Sequence, residues 1–191
     1  MKKTLLFTIL SVFTLTATNA QEIMFGAKAG VNFATFTGDA LTGFDTRVSF
    51  HIGGLAEIPL SEKFSIQPEL LYSEKGSDFF TSIDLSYLDI PLMAKYQIIK
   101  GLSAELGPVP SILLKAKETK RDVERDVTEY TKTFDLGIGG GVSYELPMGV
   151  FFGLRFTKGL MKISQPEKSE NPDSQLNVQN NVFQISAGYM F

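Results

Sequence analysis

The sequence predicts an all-β protein: an eight-stranded, antiparallel, up-and-down transmembrane β-barrel. Three observations carry this. First, the chain reads as segments of strict apolar/polar alternation with no stretch of helical periodicity. Second, short and long connections alternate between those segments, the pattern of a barrel with tight turns at one end and longer loops at the other. Third, the apolar set of each segment faces away from a charged set. A soluble barrel would turn the apolar side inward, so the alternation predicts a wall in lipid and a polar lumen.

Residues 1–20 are expected to be a signal peptide, with Met1-Lys2-Lys3 as basic region, Thr4–Ala17 as apolar region and Ala20 before the cut. Residues 21–191 then form one barrel domain. No apolar run in this part approaches the ~18 residues of a spanning helix, which leaves a barrel as the way to cross a membrane. The chain has no cysteine, hence no disulfide framework. Its formal net charge is −3, and losing Lys2 and Lys3 makes the remainder more acidic, which argues against nucleic acid as a partner.

Eight strands are predicted at about 24–36, 46–58, 64–76, 83–97, 102–116, 131–146, 149–162 and 181–191. In the first, Phe25, Ala27, Ala29, Val31 and Phe33 oppose Lys28 and Asn32. In the second, Val48, Phe50, Ile52 and Ile58 oppose Arg47, Ser49, His51 and Glu57. In the fourth, the apolar positions are odd through Tyr87 and even from Leu88, which suggests a β-bulge there. In the sixth, Phe134, Ile138, Val142 and Tyr144 oppose Asp135, Gly137, Gly139, Gly141 and Glu145. The seventh sets Phe152, Leu154 and Phe156 against Arg155. The last ends in Phe183-Gln184-Ile185-Ser186-Ala187-Gly188-Tyr189-Met190-Phe191, apolar at every odd position. A half-apolar strand needs a neighbour, and barrel closure supplies one.

Tight turns are expected at Pro59–Lys63, Ile98–Gly101 and Pro147-Met148, and longer loops at about 37–45, 77–82, 117–130 and 163–180. An even strand number puts both termini on the periplasmic side and the loops outside. The 117–130 and 163–180 segments read as hydrated connectors. Aromatic girdles are expected from Phe25, Phe64, Tyr96, Tyr144 and Tyr189 at one end, and from Phe36, Phe50, Tyr72, Tyr87, Phe134 and Phe183 at the other.

The predicted lumen holds Glu57, Glu69, Asp89, Glu105, Asp135 and Glu145 against Lys28, Arg47, Lys95 and Arg155, with His51 nearby. Eight strands enclose only enough room for side chains, so these charges must pair and form a plug. Arg155 is expected to pair with Asp135 or Glu145. The inward glycines 137, 139 and 141 are expected to make room for a large neighbour such as Arg155, and Gly137-Ile138-Gly139-Gly140-Gly141 lacks the Lys-Ser/Thr of a phosphate loop.

The only catalytic candidates are His51, Ser49 and Glu57, which share one predicted face; a shared face does not make a triad. One histidine and no cysteine give no metal-ligand cluster. The expectation is therefore a non-enzymatic protein with no cofactor. The alternatives are an enzyme acting on lipid A and a soluble lipocalin-type lipid carrier.

The aromatic-terminated last strand resembles the assembly signal of bacterial outer-membrane barrels. Phe25–Asn32, Gln67–Gly76 and Tyr87–Tyr96 resemble the PorT-type outer-membrane β-barrel proteins of Bacteroidetes. The resemblance spans essentially all of residues 21–191. It implies an eight-stranded barrel in the cell outer membrane and little chemistry. The expected partners are outer-membrane lipid, the barrel-assembly machinery through the strand ending at Phe191, and envelope proteins, with the chain itself a monomer.

Overall fold

The computed structural model describes residues 22–37, 45–78, 82–120, 123–163 and 178–191. The expected signal peptide, most of the 37–45 loop and most of the 163–180 loop lie outside these. The strands are β1 (Met24–Thr37), β2 (Asp45–Pro59), β3 (Phe64–Asp78), β4 (Ser82–Asp89), β5 (Leu92–Ile99), β6 (Leu102–Lys120), β7 (Val123–Asp126), β8 (Phe134–Glu145), β9 (Val150–Gly159) and β10 (Gln179–Met190). One 3-10 turn, Thr128–Tyr130, follows β7.

Every pairing is antiparallel, and β10 closes on β1 with Gly26 opposite Met190 and Phe33 opposite Phe183. The wall is a closed barrel of eight staves, because β4 and β5 are two halves of one. Both halves pair with β3 on one side and β6 on the other. Pro91 divides them, since it has no N–H to give the ladder. Its carbonyl still accepts from Glu69 N at 2.9 Å, and Ile90 N donates to Pro110 O at 2.8 Å, so the stave runs on.

The alternation sorts the wall as expected. Phe25, Val48, Ile52, Leu106, Phe152 and Tyr189 are exposed on the outer face, while Lys28, His51, Glu69, Glu105 and Arg155 are buried in the lumen. Turns close one end. Gly101 (φ 85°) and Gly149 (φ 86°) take the left-handed backbone that two of them require. In the third, Leu60 N donates to Phe64 O at 2.8 Å. Both β1 and β10 meet this turn end, where Phe191 N donates to Phe25 O at 2.8 Å.

Three expectations are corrected. Strand four has no phase slip: Leu85, Tyr87, Asp89, Met93 and Lys95 all face inward. The register does shift, between Ser86 and Tyr87, but the extra residue belongs to the partner, since Ser86 faces Lys115 and Tyr87 faces Leu113. Leu114 and Lys115 of β6 are therefore both exposed. Second, Phe36 and Tyr87 are not girdle residues; they are 3% and 0% exposed, inside the barrel. Third, the 117–130 segment is not a structureless connector. β6 continues to Lys120 and β7 pairs back on it, Lys117 opposite Asp126 and Glu118 opposite Arg125. Its mixed charges, which read as a solvated loop, serve as cross-strand pairs: Lys117 Nζ lies 2.9 Å from Glu124 Oε2. Thr128 secures the base, its hydroxyl accepting from Ala116 N at 2.9 Å. Hydrogen bonding from Thr128 also holds the Asp126 carboxyl below its ordinary range.

Candidate functional site

Among the described residues, charged side chains converge out of water in the lumen, which is built in layers. In the middle, Glu69 of β3 is the hub. Arg155 of β9 grips it with two nitrogens, NH2 to Oε1 at 2.7 Å and NH1 to Oε2 at 2.9 Å. Lys28 of β1 reaches Oε2 at 2.8 Å, and Gln67 Nε2 reaches Oε1 at 2.6 Å. Arg155 Nε donates to Glu105 of β6 at 2.6 Å. A planar guanidinium serves two carboxylates here in a way an ammonium cannot. The barrel makes room for it on β8: a Cβ at Gly139 would sit 3.5 Å from Arg155 Cδ, and one at Gly141 would collide with the Leu154 carbonyl at 2.2 Å.

The expected pairing of Arg155 with Asp135 or Glu145 is overturned. Strand adjacency suggested β8, yet an inward side chain as long as arginine spans the lumen to the far wall. Asp135 instead accepts from Asn180 Nδ2 at 2.9 Å and from Leu136 N at 2.8 Å. Glu145 lies at the turn end, half-buried, in the wall of the cavity there. Lys95 pairs with Glu57 at 2.6 Å, and Ser65 Oγ donates to the same carboxylate at 2.7 Å. Arg47 is not a lumen residue. It pairs with Asp84 at the loop end, where both remain partly exposed.

Lys75 was missed by sequence reasoning, although it shares the odd phase of Glu69 and Ser73 on β3. It is 4% exposed and bonds Asp89 Oδ1 at 2.8 Å and Ser111 Oγ at 3.2 Å. Its ammonium also lies 4.8 Å from the centre of the Tyr87 ring.

The catalytic candidates are not brought together. His51 is fully buried; its Nδ1 lies 2.8 Å from Asn32 Oδ1, and its Nε2 lies 2.9 Å from Ser186 Oγ. The Asn32 oxygen has no hydrogen, so Nδ1 carries the proton of that bond. Ser49 Oγ donates to the Glu74 carbonyl at 2.6 Å, and Glu57 is held by Lys95 and Ser65. Ser49 has a structural task. The β2–β3 register breaks between Thr46 and His51, and Ser49 with Asn32 Nδ2 supplies the Glu74 carbonyl with donors there.

Above these polar layers, at the loop end, Phe36, Leu85, Tyr87, Leu113, Ala116, Ile163 and Val178 form a buried apolar cluster. Below them, at the turn end, a cavity of about 800 Å³ opens, lined by Glu57, Ser65, Lys95, Gln97, Ser103 and Glu145 among others. Among the described residues no group of His, Cys, Asp and Glu is placed to hold a metal ion.

A closed wall, apolar outside and charged inside, defines a barrel that crosses a membrane. Residues 19–165 match the family described as "Outer membrane protein beta-barrel domain", and the chain belongs to it. The protein is located in the outer membrane. Among solved structures it is similar to Neisserial surface protein A, with TM-score 0.60, 13% identity, and coverage of 90% of this chain and 100% of that one. It is also similar to Ail, the attachment invasion locus protein of Yersinia pestis, with TM-score 0.54, 13% identity and the same coverage. At such identities the likeness is one of fold. Comparison with curated proteins gives no match.

Proposed function

We propose that the protein is a monomeric, non-enzymatic, non-conducting outer-membrane barrel that serves the envelope as a structural element or adaptor. The observation that carries this reading is the filled lumen. Lys28, Glu69, Glu105 and Arg155 are each no more than 7% exposed and are bound to one another across it. A pore needs a water path, and a hydrolase needs its base and nucleophile where substrate can reach them; His51 and Ser186 meet at 2.9 Å but are 0% and 6% exposed, inside the packed lumen. Reconstituted in planar bilayers, the protein gives no sustained current steps. Large stable steps would refute the plug.

The loop end, including the β6–β7 hairpin, faces the exterior in this reading, and the turn end faces the periplasm. Protease added to whole cells then cuts within 117–130 or 163–180 and spares Ser61–Lys63. Cutting only after permeabilisation would reverse the orientation. Strand β10 serves the barrel-assembly machinery, with Phe191, 77% exposed, as its anchor. Deleting Phe191 lowers the folded, heat-modifiable fraction while export across the inner membrane continues.

The PorT-type kinship is part of the same proposal. Its support is physical: the three segments that carry the resemblance hold Lys28, Glu69, Lys75, Asp89 and Lys95, all of them in lumen ion pairs. Crosslinking in intact envelopes, followed by identification of the captured proteins, tests the adaptor role; capture of none at either end would leave the structural role alone.

A further inference from the structure

The outer wall is unevenly charged at the loop end. On the staves of β2, β3 and β4 the acids Asp45, Glu74, Asp78 and Asp84 outnumber the one base outside the lumen, Arg47. Arg47 pairs with Asp84, and the Glu74 carboxylate accepts from the Tyr72 hydroxyl at 3.1 Å. The three neighbouring staves of β6, β8 and β9 differ. Lys115, Lys158 and Lys162 are exposed there and Lys132 is partly exposed, and none of the four forms an ion pair with a described residue.

Their positions follow from the ladder. The β6 bulge turns Lys115 out beside Leu114. Leu113 N donates to Thr133 O, and Lys132 N to Ile163 O, so Lys132 lies between Lys115 and Lys162. Lys158 stands opposite Ile138. The outward positions of these staves, the even residues of 104–114, 134–144 and 150–162, include no acid. The β7 hairpin carries Glu124, which Lys117 holds, and Asp126; both feel the charge of Lys115. Within two residues of the lysines along the chain stand exposed Leu114, Phe134 and Leu160, at 50%, 47% and 52%. Such a patch, apolar with a cationic edge, fits an amphiphile that carries both acyl chains and phosphate. Lysine stems lie along acyl chains while their ammonium groups rise to headgroup level.

We propose that the arc of Lys115, Lys132, Lys158 and Lys162 binds a phosphorylated, multiply acylated glycolipid of the outer leaflet. The lysines take its phosphates, and Leu114, Phe134 and Leu160 take its chains. This rests on the reading that the loop end faces the exterior.

The test is native mass spectrometry of the full-length protein in non-ionic detergent. The probes are bis-phosphorylated lipid A, the same lipid stripped of phosphate, phosphatidylglycerol and phosphatidylcholine. Bis-phosphorylated lipid A is retained best. K115Q/K132Q/K158Q/K162Q lowers its affinity by about tenfold or more. K63Q/K100Q, at the turn end, leaves it unchanged. The heat-modified gel shift checks folding, and K158Q/K162Q alone, with an intermediate loss, serves if the fourfold variant fails to fold. Equal retention of the phosphorylated and stripped lipids, or an unchanged affinity in the variants, overturns the proposal. Phosphatidylglycerol held as tightly as lipid A overturns the glycolipid as occupant. Binding in detergent is independent of orientation in the cell, so whole-cell proteolysis judges the orientation separately. A loop end found on the periplasmic side also removes the glycolipid, even where detergent binding succeeds.

Discussion

The two ends of the lumen are finished in opposite ways. At the loop end Phe36, Leu85, Tyr87, Leu113, Ala116, Ile163 and Val178 pack into a buried apolar lid. At the turn end a polar vestibule of about 800 Å³ admits water as far as Lys95, Glu57 and Glu145. The difference teaches where each kind of interaction works. Apolar packing needs only complementary volume, so it can seal the end from which the long loops spring. Charges buried in the middle must each find a partner of fixed geometry, because an unpaired one is expensive. The Lys95–Glu57 pair, with side chains 10% and 13% exposed, stands between these cases at the mouth of the vestibule.

The contrast is broken or sharpened by four measurements. The largest effect is expected from labelling, which the absence of native cysteine makes clean. A cysteine at Ser103, on the vestibule wall, reacts quickly with a charged maleimide in the folded protein, whereas one at Ala116, fully buried in the lid, does not. Equal rates would erase the distinction between the ends. Next comes the hub. Glu69→Leu strips Lys28 and Arg155 of their shared carboxylate, and the expected loss is about 3–5 kcal/mol in denaturant unfolding. Arg155→Leu is expected to destabilise as well, through Glu105, but by less, because Lys28 stays on Glu69. A reversed order would mean that Glu69 is not the hub.

In the lid, Leu85→Ala removes packing from a site 1% exposed, with an expected loss of about 2–4 kcal/mol. Because the ion network lies beneath, the variant still passes no sustained current; conduction would show that the lid alone seals the barrel. The smallest effect is expected at the vestibule. Lys95→Met costs about 1–2 kcal/mol, since water at the mouth can solvate the Glu57 it leaves behind. A loss as large as that of Glu69→Leu would show the vestibule to be as dry as the core.

Much of this architecture is legible in residue order because the side-chain period of a strand is fixed at two. Once a stretch such as Phe25–Phe33 or Val48–Ile58 alternates, the faces follow, and with them the inward placement of Lys28, His51 and Glu57. The three tight turns were legible too, from Pro59, Gly101, Pro147 and Gly149. Lys75 obeyed the same rule and was there to be found. The errors arose where one strand's pattern depends on its neighbour. Leu85 and Tyr87 are apolar residues on the inward phase; taken alone, β4 then imitates a slip, while the extra residue sits at Leu114 on β6. The β6–β7 hairpin hid in the same way, since its charges stabilise it only when laid opposite one another.

The sequence by itself determined the fold class, the side of the wall that most strand residues face, and most of the charge inside, because these depend on local period and composition; Phe36, Tyr87, Arg47 and Lys75 are the residues it misplaced or missed. Only the tertiary structure decided who pairs with whom. Arg155 passes over Asp135 and Glu145 on the adjacent stave and binds Glu69 and Glu105, while His51 turns to Asn32 and Ser186 and away from the acid on its own strand. The physical reason is that pairing inside a closed barrel is set by distances across the lumen, which depend on closure and stagger of the strands, and no spacing along the chain records them.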